Sequence, residues 1–85
     1  MTTLRHMLRK PAVMKAYGRS HASVYVDIKR GVFPPPVRMG MKASAWPEDE
    51  VAAVIDARIA GRTDDEIREL VSTLIEARKA GRVGG

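Results

Sequence analysis

The sequence predicts a mainly α-helical fold with a small β-hairpin wing: a winged helix-turn-helix with two further C-terminal helices. Three observations carry that prediction. Two short helix-forming runs, 11–17 and 21–30, are joined by the tight turn Gly18-Arg19-Ser20. Three consecutive prolines, Pro34 to Pro36, lead into two weakly β-prone runs separated by Gly40-Met41. Two helical segments follow, each opened by a cluster of acids.

In the first run, "PAVMKAYG", Pro11 suits a helix start, where a missing N–H leaves nothing unpaired. Gly18 suits a left-handed cap after about two turns. Ser20 is the natural N-cap of the second helix, because its hydroxyl can accept a backbone N–H. That helix runs from about His21 to Arg30; Gly31 lies just beyond it and Pro34 prevents its resumption. Val24 and Ile28, four apart, are expected to pack on Ala12, Val13 and Ala16 of the first helix. The prolines then fix an extended path toward a hairpin made from "VRMG" and "KASAW". Phe33 and Trp46 bracket the hairpin and are expected in the core, with stacking on a base as the alternative.

"WPEDEVAAVIDARIAG" opens a third helix with Pro47 and the acids Glu48, Asp49 and Glu50, where the helix dipole favours negative charge. Val51, Val54, Ile55, Arg58 and Ile59 keep helical spacing, and Gly61 closes the segment. In "TDDEIRELVSTLIEARKAG", Thr63 and Glu66 form a capping box. Ile67, Leu70, Val71, Leu74 and Ile75 form an apolar stripe, and Gly81 is the expected stop. The stripe either packs back on the preceding helix or meets another copy, so its five residues are candidates for self-association. The expected organisation is a DNA-binding unit over 1–61, an amphipathic helix over 62–82 and a flexible tail over 83–85.

Composition narrows the function. A chain of 85 residues holds one small core, and without cysteine it holds no disulfide or thiolate site. No apolar run approaches the ~18 residues of a membrane span, and the N-terminus lacks an apolar signal region. A soluble intracellular protein is expected. The formal net charge is +5, but it is unevenly divided. Residues 1–46 carry nine Lys and Arg against one acid, Asp27; residues 47–85 carry six against nine acids. Such segregation is the footprint of a polyanion partner. A membrane-surface helix is disfavoured, because the strong apolar stripe belongs to the acidic half. Nothing points to an enzyme, a metal or another cofactor. His6 and His21 stand without clustered ligands, there is no glycine-rich phosphate loop, and Ser20-His21 lacks an orienting partner.

For double-stranded DNA, the second helix is the reading element. Ser20 and Ser23 sit at its N-terminus, where backbone N–H groups attract phosphate. His21, Ala22 and Val26 are placed to face base edges beside Tyr25, with Lys29 or Arg30 reaching phosphate or guanine. Arg38, Met41 and Lys42 are the expected wing contacts, and Arg9, Lys10 and Arg19 further phosphate contacts.

The pattern Ser20 and Ser23, Val24-Tyr25, Lys29 to Pro34, Val37 to Gly40, and Trp46 before Glu48 resembles the AlpA-type phage regulators, whose winged helix-turn-helix is related to the MerR DNA-binding domain. The run Phe33 to Arg38 is also similar to the stretch entering the wing of lambda-type excisionases. The resemblance implies a sequence-specific DNA-binding protein of a phage or integrative element. It leaves two roles open. One is an excisionase, a recombination directionality factor that bends DNA beside an attachment site and biases an integrase, with copies meeting head to tail. The other is a regulator at a promoter, for example that of an integrase gene; either role implies the bacterial cytoplasm, at the nucleoid. Val26 and Asp27 depart from the pattern, which favours a basic and an apolar residue there. Outside the resemblance stands a protein-interaction module acting through the C-terminal helix.

Overall fold

The computed structural model describes residues 5–84, with side chains to residue 80. Four helices, α1 (Lys10–Tyr17), α2 (His21–Arg30), α3 (Glu48–Ile59) and α4 (Asp64–Gly84), surround three short strands. The strands are β1 (Met7–Arg9), β2 (Val37–Arg38) and β3 (Ser44–Pro47), in the antiparallel order β1-β3-β2. The mainly helical, winged-helix-like class matches the sequence-based expectation.

Local chemistry sets the helix ends. Gly18 and Gly31 adopt φ of 75° and 79°, the left-handed caps that end α1 and α2. Ser20 Oγ accepts the Ser23 N–H at 3.3 Å and so starts α2. The capping box of α4 is reciprocal: Glu66 N–H donates to Thr63 Oγ1 at 3.1 Å, and Thr63 N–H to Glu66 Oε1 at 2.9 Å.

The core contains Val13, Val24, Val32, Phe33, Trp46, Val51, Val54, Ile67 and Val71. Trp46 lies at its centre, against Phe33 at a ring separation of 6.3 Å, and Phe33 in turn packs on Tyr17 at 4.6 Å. Both aromatics are fully buried, which leaves neither for stacking on a base. The proline run now has a physical account. Lacking N–H groups, its residues need partners only for their carbonyls. Pro34 O accepts the Trp46 indole N–H at 2.8 Å, and Pro35 O accepts the Arg78 guanidinium at 2.8 Å. The run thereby pins the base of the hairpin to the core and to α4.

Several expectations are corrected. β1 was not among the expected elements; it pairs with the free edge of β3 in the register Met7↔Pro47, Leu8↔Trp46, Arg9↔Ala45. Ala12 and Ala16 are exposed. α1 instead turns Val13, Met14 and Tyr17 inward, the face whose larger side chains bury more apolar surface. Ile59 lies a turn beyond the buried layer of α3 and is 79% exposed. α4 continues past Gly81 to Gly84, since one glycine costs a helix only about 1 kcal/mol. The expected tail over 83–85 is therefore helical as far as Gly84, and Gly85 lies outside the described residues.

The apolar stripe proposed for self-association is turned onto this chain's own core. Ile67 and Val71 are buried, and Leu70, Leu74 and Ile75 are half-buried against the same cluster. Polar ties hold α4 there. Arg78 meets the buried carboxylate of Glu50 at 2.6 Å, Arg30 meets Asp64 at 2.6 Å, and Arg68 Nε donates to Arg30 O at 2.9 Å. A stripe satisfied in this way offers little apolar surface to a second copy. No helix among the described residues is long and apolar enough to cross a membrane.

Candidate nucleic-acid interface

α2 presents one outward face. His21, Ala22, Val26 and Lys29 are exposed on it, and Ser23 is half-buried at its start. Tyr25 is partly exposed and organises its neighbours: the His21 ring packs against it at 5.0 Å, tilted by 54°, and Lys10 Nζ lies 5.3 Å above its ring. The start of α1 is thus tied to the middle of α2. Ser20 is committed to its cap and also donates to Ser23 Oγ at 3.1 Å, so of the two it is the Ser23 hydroxyl whose proton is left to donate outward.

Two cations expected at phosphate or base are held elsewhere. Asp27, 2% exposed, accepts the Tyr17 hydroxyl at 2.9 Å and pairs with Arg19 Nε at 3.0 Å. Arg30 lies 3.9 Å from the same carboxylate and 2.6 Å from Asp64. Burial, and then the bond to Asp27, push the Tyr17 phenol above its ordinary value, so it stays a donor. Arg19 and Arg30 therefore brace the helix-turn-helix rather than extend from it. Asp27, a departure from the family pattern, is the anchor of this bracing, which a charged residue in an otherwise apolar position did not announce in the sequence.

The other cations divide by half, except that Arg5 of the basic half pairs with Asp49 and Glu50 at the start of α3. Among the described residues, Arg9, Lys10, Lys15, Lys29, Arg38 and Lys42 have no carboxylate within ion-pair distance, and all belong to the basic half. In the acidic half Arg58, Arg62, Arg68, Arg78 and Lys79 are each paired. Every described cation of the acidic half is thus paired within the chain, whereas six of the nine in the basic half are not.

Three of the unpaired cations converge. Arg9, Lys10 and Lys42, with Pro11 and Ser44, line a depression of ≈ 400 Å³ between the start of α1 and the wing. No acid lines it, and α1 has no acid in its first turn and no side-chain cap. The positive end of the α1 dipole adds to the three charges. Ser44 and Pro11 were absent from the sequence-based site, because nothing in the sequence announces that β3 packs beside the start of α1.

The wing itself is short. Val37 and Arg38 pair with Ala45 and Ser44, and Met39 N–H closes the loop on Ala43 O at 2.8 Å. Arg38, Met41 and Lys42 all project from it into solvent.

This geometry agrees with the comparisons to known proteins. The model of the family described as prophage CP4-57 regulatory protein (AlpA) matches residues 6–59, from just before β1 to the end of α3. The chain is 45% identical over 60 residues to the "Uncharacterized protein ORF88" of Enterobacteria phage P4, covering 71% of this chain and 68% of that protein. No solved structure matches. With the motif residues, the winged-helix-like fold and the family match in agreement, the chain belongs to the AlpA family of phage regulatory proteins.

Proposed function

We propose that this protein is a sequence-specific DNA-binding regulator of a phage or integrative element, with α2 in the major groove and the wing on the neighbouring backbone and minor groove. The observation that carries this reading is the segregation of charge. The six unpaired cations span β1, α1, α2 and the wing, around a face bearing His21, Ala22, Tyr25 and Val26. The phosphates are met by Arg9, Lys10, Arg38, Lys42 and Ser23, and base edges by His21, Val26 and Lys29.

Within this reading, a role as excisionase is supported by the run Phe33 to Arg38 leading into the wing. In that role the protein bends DNA beside an attachment site and turns an integrase toward excision. Titration of DNA flanking its own gene, against a random-sequence pool at two salt concentrations, tests both levels. Selective, salt-sensitive and stepwise shifts favour the multi-site recombination role. One discrete shift at a promoter favours a promoter regulator. No shift at low salt refutes DNA binding altogether.

A further inference from the structure

The tip of the wing carries a feature that phosphate binding leaves unused. Met41 is 92% exposed and Met39 53%, in a chain whose other methionine with a described environment in the helix-turn-helix, Met14, packs on the core. Both flank Gly40, beside which a Cβ would meet nothing within 4 Å. The two cations nearest in sequence, Arg38 and Lys42, are unpaired, and Lys42 also lines the depression with Arg9 and Lys10. The most exposed large apolar side chain of the described residues thus sits at the point of a hairpin whose flanks are built to grip a phosphate backbone.

We propose that Met41 is an apolar wedge, inserted from the minor groove into a base step and kinking the duplex there; the proposal rests on the DNA-binding reading above. The chemistry fits in three respects. A thioether on an unbranched, deformable stem can enter a partly opened stack. Wedges of this kind unstack one step and bend the duplex away from the minor groove. Arg38 and Lys42 on either side hold the backbone in register while the stack opens. The step opened most easily is a pyrimidine–purine step such as TA or CA. The site therefore has a preference at a position where no hydrogen bond reads a base.

The test uses the full chain, Met41→Gln and Met41→Ala, on a duplex selected by the wild type. 2-Aminopurine is placed at the step facing the wing, and end labels report bending by energy transfer. Wild type is expected to raise the 2-aminopurine emission and shorten the end-to-end distance. Both variants should lose both signals while keeping the salt slope, and an exposed site leaves their thermal unfolding unchanged. A mismatch at that step, which lowers the unstacking cost, should tighten wild-type binding by about tenfold and leave Met41→Gln unaffected. Variants that bend and unstack like wild type overturn the proposal, as does a wild type that binds selectively without unstacking. A wild type that binds no duplex overturns the DNA-binding reading along with it.

Discussion

Asp27→Asn separates the structural cations from those proposed to contact DNA. The carboxylate is buried and accepts the Tyr17 hydroxyl at 2.9 Å and Arg19 Nε at 3.0 Å, with Arg30 at 3.9 Å. Hydrogen bonds to a charged group contribute ~1.5–3 kcal/mol each. Arg19 and Arg30 are nearly half exposed, however, and water compensates much of what they lose. The amide also retains an acceptor for Tyr17. The expected loss is therefore about 2 kcal/mol, or about 8–16 °C in the midpoint of a domain of this size. Thermal unfolding followed by circular dichroism reads it. The same substitution releases Arg19 on the face beside α2. Affinity for random DNA should rise, and the log–log salt slope should steepen by about 0.9 for each phosphate gained. A midpoint unchanged within 2–3 °C, or lost DNA affinity in a still-folded variant, would refute the bracing role assigned to Asp27.

Other consequences are as definite. Arg38→Ala and Lys42→Ala should each weaken binding to all sequences alike and reduce the salt slope by about 0.9, whereas His21→Ala and Val26→Ala should change which site is chosen; binding titrations on selected and random duplexes distinguish the two. Glu50→Ala leaves Arg78 without its partner beside Pro35 and should destabilise the fold by about 3 kcal/mol in denaturant titration, with α4 loosening first. Acid should weaken the start of α4. The Thr63 backbone N–H holds Glu66 below its ordinary 4.5 against an opposing effect of burial; at Asp64 burial acts upward, and Arg30 and Arg58 together outweigh it to hold the group below its ordinary 3.8. Carboxylates depressed in the folded state stabilise it fully above those ordinary values and lose that effect as pH falls through the folded ones. Stability measured from pH 6 downward should begin to decline near pH 4.5.

How much of this was legible in the sequence depended on the range of the interactions. Caps and stops written into neighbouring residues read correctly: Gly18, Ser20, Gly31, and the Thr63–Glu66 box. The wing was legible because prolines and Gly40 leave the chain few alternatives. β1 was not, since three residues carry no periodicity and become a strand only when β3 offers an edge. Arg19 and Arg30 looked free because their partner, Asp27, is local in sequence yet becomes a hub only when Tyr17 and α4 close around it. The apolar stripe of α4 was read correctly as a stripe, but whether it faced its own chain was set by Glu50 and Pro35, 28 and 43 residues before Arg78. Gly81 failed as a stop because helical neighbours outweigh one glycine.

The most direct test of the proposed interface compares the reactivity of individual lysines toward an amine-modifying reagent, with and without a selected duplex, by mass spectrometry. Lys10, Lys29 and Lys42 lie on the proposed DNA face, and Lys79, paired with Glu76, lies at the far end of α4. DNA should protect the first three strongly and Lys79, which shares a depression with Arg5 and Met39, far less. Protection of Lys79 with Lys10, Lys29 and Lys42 unchanged would contradict the interface and place binding on the acidic half.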